Sequence, residues 1–125
     1  MAGGGLNSRS HVYDVVTLDA LEWARNKAIK NGKVLLLQFG HSDCKLCPAF
    51  TAKVEELYQK YDLMYVYCDT HSADDLLEEY GVTRVPSFAL FKEHSESTFI
   101  NATIEQLESE VKSVCTPSLV LDEDF

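Results

Sequence analysis

Two cysteines separated by two residues, Cys44 and Cys47 in the stretch QFGHSDCKLCPAF from Gln38 to Phe50, are the side chains best suited by type and spacing to do chemistry. Thiolates are nucleophiles and soft metal ligands, so a C-x-x-C pair reads first as a redox dithiol and second as half of a metal site. An apolar run precedes the pair and a helix-like pattern follows it, which predicts that both thiols stand in the first turn of a helix. There the pair can close a small disulfide ring with little backbone movement. Unpaired backbone N–H groups and the positive end of the helix dipole favour a thiolate at the first thiol. Cys44 is therefore the candidate nucleophile, and Cys47, deeper in the turn, the resolving thiol. Lys45 and His41 are expected to favour the Cys44 thiolate and Asp43 to oppose it. Zinc needs about four ligands, and only His41 lies close enough in sequence to help. We expect no bound metal and no cofactor, with a cluster shared between two chains as the remaining ligand reading.

The elements that position this pair follow from periodicity. His11–Val16 is rich in β-branched and aromatic residues and predicts a strand. Thr17 is a plausible N-cap for a helix with Leu18, Leu21, Ala24 and Ala28 at helical spacing, closed by Gly32. The unbroken apolar run Val34–Leu37 marks a strand buried on both faces, at the centre of a sheet. Pro48 suits the first turn of the cysteine helix, which runs to about Tyr61 with Phe50, Val54 and Leu57 on one stripe. Leu63–Cys68 predicts a third strand, and Ser72 with Asp75 a cap for a short helix ending at Gly81. Val85-Pro86, a candidate cis bond, precedes a strand over Ser87–Phe91. Thr98–Ala102 then pairs back as a hairpin, and Ile104, Leu107, Val111 and Val114 make a last amphipathic helix.

At 125 residues the chain amounts to one domain, with residues 1–10 expected as a disordered lead-in, 11–115 as the folded domain and 116–125 as an acidic flexible tail. A formal net charge of -9 sets it against nucleic acid and anionic membrane as electrostatic partners. No apolar leader or run of membrane-spanning length stands out, so the expectation is a cytoplasmic protein. Cys68, ending a buried strand, reads as a small hydrophobe, whereas Cys115 is expected to be exposed. His71 and His94 are expected at the surface and Trp23 at an edge. Asn101-Ala102-Thr103 fits a glycosylation acceptor by chance.

A buried strand, C-x-x-C at the next helix start, and then G-V-x-x-V-P before a hairpin and a last helix resemble the thioredoxin family over His11 to Cys115. The stretches carrying the resemblance are VLLLQF at Val34–Phe39, CKLC at Cys44–Cys47 and YGVTRVPSFALF at Tyr80–Phe91. It implies an α/β fold with a central mixed sheet of about five strands flanked by about four helices. It also implies a thiol-disulfide oxidoreductase acting on protein disulfides by mixed-disulfide exchange, with a reductase or glutathione as electron source. Pro86 would be the family's cis-proline facing the cysteines, and Val85 would offer backbone groups to an extended substrate segment. The sequence departs from the family's pattern at four places. Asp43 stands where a tryptophan is usual, Lys45-Leu46 where Gly-Pro is usual, Gln38 in place of a buried acid, and Ala52 near the place of a helix proline. Phe39-Gly40-His41 also echoes the spliceosomal thioredoxin-like proteins, so a non-catalytic adaptor within a larger complex is the alternative.

Overall fold

Strand β2 (Val34–Gly40) is apolar along nearly its whole length because helices cover both of its faces, and all seven of its residues are buried. The computed structural model describes residues 12–115, and the expected lead-in and acidic tail lie outside the described residues. Strand β3 (Leu63–Asp69) runs parallel to β2 and β1 (Val12–Asp14) parallel to β3, while β4 (Ser87–Lys92) and β5 (Ser95–Phe99) pair antiparallel on the other side of β2. The spatial order is β1-β3-β2-β4-β5. The expected mixed sheet of five strands with four helices is what forms, with β2 at its centre.

Side chains alternate across a strand, so neighbouring positions of β2 serve different cores. Leu35, Leu37 and Phe39 join Val66 of β3 and pack under α1 (Leu18–Lys30) and α3 (Asp74–Tyr80). Leu36 joins Tyr65 and Leu90 under α2 (Cys47–Lys60) and α4 (Ile104–Val114). Gln38 and Gly40 continue the second series, which brings them to the side of the sheet carrying the cysteine helix. Between the layers, Arg25 of α1 lies 4.5 Å over the Phe91 ring and 3.4 Å from Glu96, joining α1 to the hairpin. Lys53 of α2 reaches Glu56 at 3.3 Å and Glu108 of α4 at 3.8 Å.

Local signals account for most boundaries. Thr17 Oγ1 accepts the Ala20 N–H at 3.0 Å, as an N-cap should. The chain leaves α1 through Gly32 at φ 68° and α3 through Gly81 at φ 66°, a left-handed conformation that glycine adopts without a Cβ clash. Four expectations are corrected. The second strand of the hairpin spans Ser95–Phe99 rather than Thr98–Ala102, ending before Asn101, whose φ is 55°. The first strand stops at Asp14 rather than Val16, although the Val15 N–H still reaches Tyr67 O at 2.8 Å. Ser72 does not cap α3. It belongs to a 3₁₀ turn (Thr70–Ser72) capped by Asp69, whose carboxylate accepts the His71 N–H at 2.9 Å, and α3 begins after Ala73 without a side-chain cap. Cys115 is half-buried against the α2–α4 core rather than exposed.

Candidate active site

The helix carrying the thiols begins at Cys47, so Cys44 stands just ahead of it instead of within its first turn. Leu46, at the N-cap position, has no side-chain acceptor, and the first free N–H of the helix turns to the preceding cysteine. The Cys47 N–H points to Cys44 Sγ at 3.1 Å and to Cys44 O at 3.4 Å, and the Cys44 N–H in turn donates to His41 O at 3.1 Å. The sulfur of Cys44 thus takes the place of a capping hydroxyl, with a helix N-terminus aimed at it. Cys44 and Cys47 are joined by a disulfide with their Cα atoms 5.4 Å apart. Cys44 is half-exposed, whereas Cys47 is 5% exposed.

Around the pair, Lys45 and Leu46 are exposed, and Leu46 presents 61% of its surface to solvent. His41 Nδ1 accepts the Asp43 N–H at 3.1 Å, and its ring stacks on His71 at 4.6 Å. His71, expected only at the surface, is therefore a neighbour of the dithiol loop that its sequence position did not reveal. Atoms of His41, Asp43 and His71 that can ligate a metal come within 4.8 Å of one another. The two imidazole planes are within 15° of parallel, so their in-plane lone pairs do not converge, and Nδ1 of His41 is already engaged.

Below the pair, Gln38 is fully buried, with Nε2 donating to Thr51 Oγ1 at 3.2 Å and Oε1 accepting from Tyr65 Oη. Gly40 ends β2 where its neighbours leave no room for a side chain. An added Cβ would lie 2.8 Å from Tyr67 Oη and 3.0 Å from Cys47 Sγ. Tyr67, like His71, was not singled out by pattern or motif.

Across the sheet, Phe39 pairs with Ser87, so Pro86 comes one residue before that pair, level with the end of β2. The Val85-Pro86 bond is cis, Pro86 is buried and Val85 half-buried. Ser87 Oγ donates to Arg84 O at 2.6 Å and accepts the Asn101 N–H at 3.0 Å, while Pro86 O accepts the Ala102 N–H at 3.0 Å. His41 lines both the cavity holding Cys44 and Cys47 and the cavity at Val85. Among the described residues no helix is long and apolar enough to cross a membrane.

A central mixed sheet with a disulfide-forming pair at the start of the helix after its middle strand, and a cis proline leading into the strand next to it, defines a class of dithiol-disulfide exchange proteins. The Thioredoxin family model matches residues 14–113, and the chain belongs to the thioredoxin family. A thioredoxin H-type from Fagopyrum esculentum is 35% identical over 78 residues, covering 60% of this chain and 67% of the relative. Among solved structures, mitochondrial thioredoxin 3 from Saccharomyces cerevisiae in its oxidised form is 25% identical at a TM-score of 0.70, covering 86% of this chain and 99% of its own. Oxidised thioredoxin O2 from Arabidopsis thaliana shares the fold at a TM-score of 0.72 and 19% identity, covering 86% and 97%. The protein is a thiol-disulfide oxidoreductase of thioredoxin type, acting on protein disulfides through its Cys44/Cys47 pair.

Proposed function

We propose that Cys44 is the attacking thiol and Cys47 the resolving one. The observation that carries this is the unequal exposure of the bonded pair: a partner can reach the half-exposed Cys44, whereas Cys47 is almost wholly buried. Attack by the Cys44 thiolate on a protein disulfide forms a mixed disulfide and releases one partner thiolate. Cys47 then attacks Cys44 Sγ, closes the disulfide seen here and releases the second. The Cys47 N–H and the start of α2 stabilise the Cys44 thiolate, with Lys45 and His41 favouring it and Asp43 opposing it.

Val85 and Pro86 form the wall against which the substrate chain lies. In support, Val85 falls outside the pairing of β4 with β2, so its peptide groups are not committed to that ladder. Electrons come from a reductase or from glutathione. We place this chemistry in the cytoplasm, since Cys68 and Cys115 are unpaired, as thiols are in reducing compartments. The formed dithiol ring favours this reading over a non-catalytic adaptor. Insulin disulfide reduction should vanish in Cys44→Ser, and Cys47→Ser should accumulate a mixed disulfide visible by mass. Unchanged turnover in Cys44→Ser would overturn the assignment.

A further inference from the structure

We propose that the Tyr67 hydroxyl donates a hydrogen bond to the Cys47 thiolate whenever the disulfide opens, and thereby sets the reactivity of the resolving thiol. This rests on the roles proposed above for the two cysteines. Gly40 shows the juxtaposition: the point where its Cβ would stand is 2.8 Å from Tyr67 Oη and 3.0 Å from Cys47 Sγ. Oxygen and sulfur converge on one spot that only a residue lacking a side chain leaves open. The sheet produces this approach. Tyr67 pairs with Gln38 and Asp69 with Gly40 in the parallel ladder, so Gln38, Gly40, Tyr65 and Tyr67 share the face under α2.

Cys47 needs such a partner. A thiolate 5% exposed is costly unless it is hydrogen-bonded. Gln38 cannot exchange a proton with it, because an amide does not titrate and both ends of this one are engaged. The titratable groups lining the dithiol cavity of about 510 Å³, besides the cysteines, are His41, Tyr67 and Asp69. Asp69 carries like charge and holds the His71 N–H, and His41 Nδ1 accepts the Asp43 N–H. Tyr67 Oη and Cys47 Sγ stand 2.8 and 3.0 Å from one point beside Gly40, and a phenol O–H turned to a thiolate there favours the charged form.

In the reductive step, a thiolate of the electron donor attacks Cys44 Sγ and forms a mixed disulfide with it, the Cys44–Cys47 bond breaks, and its electron pair leaves on Cys47 Sγ, which the phenol receives. A second donor thiolate then frees Cys44, leaving the donor as its disulfide. Solvent supplies the proton that Cys47 finally takes. In the oxidative step Cys47 returns that proton to solvent, and its thiolate, held by the same O–H, attacks Cys44 Sγ of the mixed disulfide. The substrate departs as a thiolate, so its disulfide gains the two electrons that the protein's dithiol loses.

The test uses dithiobisnitrobenzoate with the reduced full chain. One coloured thiolate is released on attack by Cys44 and a second on resolution by Cys47. Tyr67→Phe keeps the ring and removes the O–H. It should leave the first release unchanged, slow the second about tenfold at neutral pH and raise the pH midpoint of that phase by about one unit. A second phase with unaltered rate and midpoint overturns the proposal. Failure of the cysteine roles looks different: the first release would be absent, or would survive Cys44→Ser. Should Tyr67→Phe lose the fold, fluorotyrosine in place of Tyr67 decides the matter. Its more acidic phenol should lower the midpoint, and an unmoved midpoint overturns the proposal.

Discussion

The Tyr65 hydroxyl donates to Gln38 Oε1 at 2.5 Å, and both side chains are fully buried. Through Nε2 the same amide holds Thr51, one helical turn beyond Cys47, so a single uncharged group ties β2 to β3 and to the cysteine helix. The amide itself neither takes up nor releases a proton in this link.

Gln38→Leu should therefore destabilise the protein by about 1–3 kcal/mol, the cost of stranding polar groups in a core. Adding Tyr65→Phe should cost less than the sum of the two single changes. Urea unfolding of the four species gives the coupling, and strict additivity would show that the bond contributes nothing.

Gly40→Ala should cost a further about 1–3 kcal/mol through overpacking against Tyr67 and Cys47. Thermal melts of oxidised and reduced forms test this. Equal stability to the parent would mean that the strand end can yield.

Burial pushes the Cys68 thiol up to about 12, with Asp69 adding to the effect. Burial also pushes Cys115 up to about 12, Lys92 opposing and Asp62 adding. An unfolded thiol ionises near 9.0, so between these values the unfolded chain binds fewer protons than the folded one. Stability is fully present below about pH 9 and falls as pH rises through that window. Cys68→Ala should flatten the alkaline fall, and identical slopes would refute the linkage. At pH near 8, iodoacetamide should label Cys44 in the reduced native protein while sparing Cys68.

Leu46, 61% exposed between the two cysteines, offers apolar surface to whatever approaches Cys44. Leu46→Ser should raise KM for a protein disulfide by up to about tenfold, the scale of burying part of a leucine side chain. Exchange with a small disulfide such as oxidised glutathione should stay unchanged. Equal losses with both substrates would point to a disturbed dithiol instead.

What was legible in the sequence was whatever depends on neighbours along the chain. Val34–Leu37 announced the central strand because both its faces are covered. Thr17 and Gly81 announced helix ends because their own hydroxyl or missing Cβ makes the boundary. The C-x-x-C pair and Val85-Pro86 were legible by spacing and resemblance. Ser72 misled, because Asp69 had already begun a 3₁₀ turn that carries the chain past it. Cys44 fell outside the helix, which begins only at Cys47. Tyr67 beside Gly40 and His71 on His41 depend on the register of β2 with β3, a long-range fact that periodicity within either strand does not contain.

Ser87 stitches the segment bearing Val85 and Pro86 to the turn after β5, its hydroxyl bonding Arg84 O on one side and the Asn101 N–H on the other. With Pro86 O also held by the Ala102 N–H, that segment is braced from behind by the residues leading into α4. On the proposed role of Val85 and Pro86, a partner would meet one jaw braced by the chain behind it and, on the other side, the loop of His41 to Leu46, which holds itself through its own hydrogen bonds.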